Sequence, residues 1–600
     1  MVGMQEVRVT QKPAIDRDQG EPPGMAPHGG WDRPFSGALV ARLVAVAAVA
    51  LVCSYIASFV LNVTNVGFAE DGMILARAMK HFSEGGVLAY NRGEPLSGVS
   101  GVGAALLLAP VTLILTKLNG NTFDLSYLAM SYVSLVFFCG FLFLHIGASI
   151  TIFGATTLLF WILTNGYLVW FGLGLEHIPI LLFYVIGALV VTQWRSVPGM
   201  FLLGLLCGIR PELLVVALCA SSLLFFMSLM PWGSEWQGPT TRLHLALFGG
   251  AATFIAAYFL LTGSVLPQTV AAKSFFRPQS VFQPLFEEGV GFLVRRSVEI
   301  WKDCTQRAVA PALDYFVLSF AFLSSVLFAC SMLLSRKVRE TYGLLTIYPS
   351  LLLLGYHAFL VFASGWSWYT ANYVLLVGLI AITNLLIITR VFPSIASVRA
   401  RVTTEVAIIV ACLGLYVAYQ PVWSTSARNT YSWMRNWVKA DEAFRGSVSR
   451  WLRDRASETG AKTVWMEAAG WQGFFHSLRV LDEVGLTSKA TLSFARSAGC
   501  DYFVSALKHF QPDLIVKRQL ELDKNAMLVP NRNCPAMPLF SSDEDRRWFS
   551  EHYHSVWVFD APDPEWFGPL GRLVVFERTT DPSHSDATSP ESTPSAQPRR

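Results

Sequence analysis

Apolar runs separated by short polar breaks recur from residue 38 to residue 420, each near the roughly 20 residues that a helix needs to cross a bilayer. They predict spans at 38–61, 99–117, 125–147, 151–172, 176–194, 243–262, 312–334, 342–363, 373–390 and 403–420. A longer run, 197–230, is interrupted by Arg210-Pro211-Glu212. Counting it as one broken helix gives about eleven spans and puts loops 62–98 and 263–311 on one face. Arg33 and Arg42 before the first run, and SRKVRE with Arg390, Arg399 and Arg401 later, place those connections in the cytoplasm. The N-terminus is then cytoplasmic and the C-terminus outside.

Between the first two spans, DGMILARAMKHFSEGG has apolar residues at helical spacing. It predicts a short amphipathic helix in the interface plane, stopped by Gly85-Gly86. After Pro421 the pattern changes to short runs, KTVWME, RVLDEV, DYFVS, DLIV, SVWVF and LVVFE, read as strands, with SKATLSFARSAG read as helical. The expected organisation is therefore a tail at 1–36, a polytopic α-helical membrane domain at 37–421, an extracytoplasmic α/β domain at 422–578 and a tail at 579–600. No signal peptide is expected, because the first apolar run starts late and is too long.

Composition agrees with that class: 53% of residues are hydrophobic and 15% charged, and the formal charge of +4 is too small for a nucleic-acid face. Cys500 and Cys534 are candidates for a disulfide if their side of the membrane is oxidising, and the sequence leaves the pairing open.

Candidate chemistry gathers on the outer side. Glu70-Asp71 follows directly on the first span, where a carboxylate can deprotonate a hydroxyl; acidic residues equally suit a helix start. Arg210 and Glu212 lie inside an apolar segment and either neutralise each other or leave Arg210 facing an anion in a cavity. In GSVLPQTVAAKSFFRP, Lys273 and Arg277 stand one turn apart beside Phe275 and Phe276, suited to a lipid phosphate or to snorkelling at the interface. Arg295-Arg296 is a weaker candidate of the same kind. Glu176-His177 is a lone polar pair between spans, and Tyr369 belongs to an aromatic–polar loop, GWSWYTANY.

In this order the pieces resemble the GT-C superfamily of polyprenyl-phosphate-dependent glycosyltransferases, and are similar to the arabinofuranosyltransferases of mycobacterial cell walls. The residues that carry the resemblance are Glu70-Asp71, Tyr90-Asn91-Arg92-Gly93-Glu94-Pro95, Gly174-Leu175-Glu176, Arg210-Pro211-Glu212 and Leu266-Pro267-Gln268-Thr269-Val270-Ala271-Ala272-Lys273. Glu-Asp stands where that family commonly has Asp-Asp or Asp-Glu, and Trp368-Tyr369-Thr370 lacks an arginine of its later motif. The resemblance implies Asp71 or Glu70 as catalytic base, and Lys273, Arg210 and Arg277 on the donor phosphate. Tyr90, Asn91, Glu94, Glu176 and Tyr369 are then substrate contacts. It also implies a polyprenyl-phosphate sugar donor, a glycan or lipid acceptor, and residence in a bacterial inner membrane. No cofactor is assigned; some relatives use a divalent cation, and no metal cage is legible. The competing readings are a transporter or flippase of lipid-linked sugars, and a non-catalytic envelope-assembly scaffold.

Overall fold

A computed structural model describes residues 70–99, 101–119, 197–210, 239–265, 267–276, 283–306, 435–467, 469–529 and 536–579, with isolated positions between them. The expected spans at 38–61, 125–147, 151–172, 176–194 and 403–420, the expected tail 1–36 and all but the first residue of the expected tail 579–600 lie outside those residues.

The opening helix, α1, runs Glu70–Gly85 and stops where expected, at Gly86 with φ +71. Helix α2 spans Val102–Asn119. Helix α3, Val197–Leu206, passes through a 3-10 turn, Cys207–Ile209, into an extended Arg210. The break falls there because the residue before a proline is pushed out of helical geometry, and Pro211 follows. Helix α4 covers Pro239–Thr262. Among the described residues, its Arg242–Thr262 segment is the one helix long and apolar enough to cross a membrane. Helices α3 and α4 approach closely through small residues: a Cβ on Gly204 would overlap the Leu247 carbonyl, and one on Gly250 the Phe201 carbonyl.

Three helices fill the described part of the loop after α4: α5 (Gln268–Phe275), α6 (Gln283–Glu288) and α7 (Val290–Gln306).

The C-terminal domain begins with α8, 435–459. Then follow β1 (Thr463–Met466), α9 (Trp471–Phe474), β2 (Arg479–Asp482), α10 (Lys489–Ala498), α11 (Tyr502–Phe510), β3 (Leu514–Arg518), α12 (Gln519–Lys524), α13 (Asp543–His552), β4 (Tyr553–Asp560), α14 (Pro564–Phe567) and β5 (Arg572–Arg578). The five strands form one sheet in the order β2-β1-β3-β5-β4. β1 is parallel to β2 and β3, while β5 is antiparallel to β3 and β4. Strand alternation sends Val464 and Met466 to the α8 side, with Phe444, Val448 and Leu452. Trp465 and Ile515 face the other side, against Tyr502, Phe503 and Leu507 of α11 and Phe549 of α13. The expected α/β domain is thus a mixed sheet covered on both faces.

One segment departs from the expected elements. DYFVS is helical, the start of α11: Tyr502, Phe503, Ala506 and Leu507 are all buried, an i, i+1, i+4, i+5 pattern that makes one face of a helix. Five residues were too few for the strand period to be told from this one. The disulfide Cys500–Cys534 is formed, tying the turn before α11 to the segment after α12.

Candidate functional site

Helix α1 is amphipathic, as its spacing requires, yet both of its faces are covered. Met73, Leu75, Ala76, Ala78 and Met79 pack with residues of α2, Tyr258 of α4 and Trp471 of α9. Its polar face carries Arg77 and His81, which are also buried. The C-terminal domain lies on that face. The arginine Nε donates to the Tyr90 carbonyl at 3.0 Å, Nη1 to the Gly473 carbonyl and Nη2 to the Leu478 carbonyl at 2.7 Å. Its guanidinium also stacks over the Tyr90 ring, 4.5 Å from the centroid. Only glycine fits at 473, because a Cβ there would overlap the Tyr90 hydroxyl.

The loop after α1 continues this seam. The Tyr90 hydroxyl donates to the Ala469 carbonyl. Asn91 pairs with the edge of β2, its Nδ2 donating to the Val480 carbonyl and its Oδ1 accepting from the Val480 amide, both at 2.9 Å. The same Nδ2 reaches the Thr487 carbonyl at 3.3 Å. Arg479 donates to Glu94 Oε1 at 2.6 Å.

A second part of the chain meets the same loop of the C-terminal domain. Gln268, at the start of α5, donates to the Gly485 carbonyl at 2.8 Å. Lys489 donates to the carbonyl of Thr262, the last residue of α4, at 2.9 Å. Residues 480–489 therefore contact the end of a membrane-length helix, the helix bearing Lys273 and the loop that follows α1.

Asp482 organises that loop. Its carboxylate accepts from the Val484 amide at 3.3 Å and the Thr487 amide at 2.8 Å, while burial pushes its pKa up to about 8. Beside it lies a fully buried ionic triad. Lys517 Nζ stands 2.7 Å from Glu483 and 3.0 Å from Glu521, and the Trp465 indole donates to Glu483 at 3.0 Å. Burial disfavours the ammonium, but the two carboxylates hold its pKa above the ordinary value. In the seam, burial lowers His81 to about 4 and takes His476 well below its ordinary value, with Arg77 adding repulsion to both.

The sequence-derived site residues sort as follows. Glu70 and Asp71 form the first turn of α1, and their side chains lie outside the described residues. Lys273 is half-buried in the last turn of α5, and Arg210 is buried where α3 breaks. Arg277, Glu176 and Tyr369 fall outside the described residues. Tyr90, Asn91 and Glu94, expected as substrate contacts, bond to the C-terminal domain, and both ends of the Asn91 amide engage Val480. Arg295 pairs with Glu288 and Glu299, and Arg296 with Glu299. Among the described residues no three His, Cys, Asp or Glu side chains are grouped to hold a metal ion.

Sequence reasoning missed Arg77, Gln268, Arg479, Asp482 and the triad. A charged residue flanked by apolar ones, as in ILARAM and LIVKRQL, was the available signal that Arg77 and Lys517 are buried.

A domain family described as a domain of unknown function (DUF8728) matches residues 432–576. No curated protein matches the chain. Among solved structures, it is similar to ArnT from Cupriavidus metallidurans bound to undecaprenyl phosphate, with 13% identity over 90% of this chain and 98% of that one and a TM-score of 0.46. The apo state of the same protein gives 14% identity, the same coverage and a TM-score of 0.43. The archaeal oligosaccharyltransferase AglB from Archaeoglobus fulgidus, in complex with an inhibitory peptide and a dolichol-phosphate, gives 10% identity over 91% of this chain and 77% of that one, with a TM-score of 0.41.

Proposed function

We propose that this chain is a membrane glycosyltransferase that moves a sugar from a polyprenyl-phosphate donor to a glycan or lipid acceptor at the outer face of the membrane. One observation carries the reading: Asn91 and Gln268, far apart in sequence, bond to carbonyls two residues apart on one loop, Thr487 and Gly485. The loop that follows the Glu70–Gly85 helix and the helix that carries Lys273 thus meet one loop of the C-terminal domain, which supports a site shared between them.

In this mechanism the donor's prenyl tail stays in lipid and its phosphate meets Lys273, with Arg210 or Arg277 assisting. The acceptor hydroxyl oxygen attacks the anomeric carbon, and Asp71 or Glu70 takes the hydroxyl proton. The bond from the anomeric carbon to the phosphate oxygen breaks with its electron pair going to phosphate. Cations placed there stabilise the charge that grows on that oxygen. A single displacement inverts the anomeric centre.

The test is an Asp71→Asn protein assayed with a polyprenyl-phosphate sugar and a cell-envelope acceptor extract, beside Glu70→Gln. The expected result is a folded protein that binds donor and has lost transfer by roughly 10²–10⁴-fold in at least one variant. Undiminished transfer in both variants removes the acidic pair from the reaction.

A further inference from the structure

Helix α7 is apolar over half of its circumference, and the protein covers only part of that half. On one side of the apolar arc, Ile300 and Cys304 are buried, and the Ser297 hydroxyl is 2.9 Å from His357 Nε2. The His357 Nδ1 lies 2.9 Å from the Tyr373 hydroxyl, so a chain of side-chain hydrogen bonds fixes this side to the rest of the protein. On the other side, Val290, Val294 and Val298 succeed one another at four-residue spacing and are 74%, 59% and 60% exposed. Phe286 of α6, 85% exposed, extends the stripe beyond Gly289. The side away from the valines carries Arg295 and Glu299 together with the buried Phe292, and the arginine is paired there with Glu288 and Glu299; Lys302 ends the valine row one turn beyond Val298.

Two observations say what covers the stripe. On the expected topology Tyr373 opens the span 373–390 at its outer end and His357 lies less than two turns inside the outer end of 342–363, which sets α7 near the outer membrane boundary. The chain reaches α7 from the end of α4, whose Leu260 and Leu261 are 83% and 62% exposed on a helix of membrane-crossing length. A helix at that depth, with one apolar side uncovered and a self-neutralised polar side opposite, fits the boundary between headgroups and acyl chains. A protein partner would have to enter the bilayer edge to reach the same residues.

We infer that α7, with Phe286, is an in-plane helix whose partner is the lipid surface of the outer leaflet. Its polar arc pairs within itself, so zwitterionic lipid suffices. This reading stands whether or not the chain transfers sugars.

The experiment uses the full chain in phosphatidylcholine nanodiscs. An environment-sensitive fluorophore is attached to Val294→Cys, Val298→Cys or Glu299→Cys, and the unsubstituted chain treated alike gives the background from native cysteines. The expected result is at least twofold stronger quenching by brominated acyl chains at 294 and 298 than at 299, with aqueous iodide in the reverse order. Equal iodide quenching at all three positions puts the stripe in water and overturns the inference. Protection of 294 and 298 from both quenchers means that protein covers the stripe, and overturns it equally. Two independent positions guard against one variant misfolding.

Discussion

The side-chain amide of Asn91 lies against β2 as a further strand would, giving one hydrogen bond to the Val480 carbonyl and taking one from the Val480 amide. β2 is an edge of the sheet, so these backbone groups have no strand neighbour on that side. The loop that follows α1 has become the cover for a sheet edge in the C-terminal domain.

Asn91→Asp retains the size of the side chain and removes its donor, setting a carboxylate against the Val480 and Thr487 carbonyls. The expected cost is about 2–3 kcal/mol, the penalty of burying an unmatched polar group. Hydrogen exchange should then accelerate at residues 88–98 and at Val480, with the far side of the sheet unchanged. Unaltered protection would show that the pairing does not hold the domains together.

Removing Lys517 leaves Glu483 and Glu521 buried and repelling. Lys517→Met is expected to destabilise the C-terminal domain by about 3–5 kcal/mol, as losing one member of a buried ion pair does. The triple variant with Glu483→Gln and Glu521→Gln should recover most of that loss, read from thermal melting. If the single variant melts with the unsubstituted chain, the triad is not what holds α12 to β3.

The pH dependence follows from three buried groups outside the spans. Asp482, ordinarily near 3.8 and pushed to about 8, keeps in the folded state a proton that the unfolded chain releases. Its contribution therefore falls as pH rises from about 4 to 8. His81 runs the other way: its folded value of about 4 lies below 6.5, so the unfolded chain protonates first and stability is lost as pH falls through that window. His476 is shifted in the same direction as His81. Below about pH 6.5 the two histidines oppose the aspartate, and above it their contribution is complete while that of Asp482 is still being lost. Thermal melting from pH 5 to 8.5 checks this; Asp482→Asn should flatten the alkaline side and leave the acid side sloping.

Lys273→Ala tests the donor side of the proposed reaction. Loss of a charge-assisted contact to phosphate is worth about 1.5–3 kcal/mol, roughly a 10- to 100-fold weaker affinity for a polyprenyl-phosphate sugar. Acceptor affinity should change little. The opposite split between the two ligands takes Lys273 out of the phosphate site.

The disulfide closes a loop across a separation of 34 residues. Cys500→Ser with Cys534→Ser should lower stability by about 3–4 kcal/mol on the chain-entropy account, and reducing agent should do the same to the unsubstituted chain. Melting curves that coincide with and without reductant would show that the bridge does not constrain the folded domain.

Much of the local structure was legible along the chain, because helix length, helix ends and strand alternation depend on neighbours within a few residues. Apolar run length located α2 and α4, Gly85-Gly86 closed α1, and Pro211 broke the helix at Arg210. Five of the six strand-like runs are strands. The sixth, DYFVS, folds as a helix because burial against Trp465 and Phe549 selected a face that its own residues left ambiguous.

The contacts of Tyr90, Asn91 and Glu94 with the C-terminal domain could not be read from their motif. Polar residues beside a membrane span look alike whether they meet a ligand or another part of the chain. Asn91 finds Val480 389 residues away, and Gln268 finds Gly485 across 217, and no periodicity reports contacts at such separations. Elements of this protein arise from short-range sterics and hydrophobic spacing. The seam that unites them arises only when the packed sheet offers a bare edge and the folded loop supplies donors and acceptors of matching geometry.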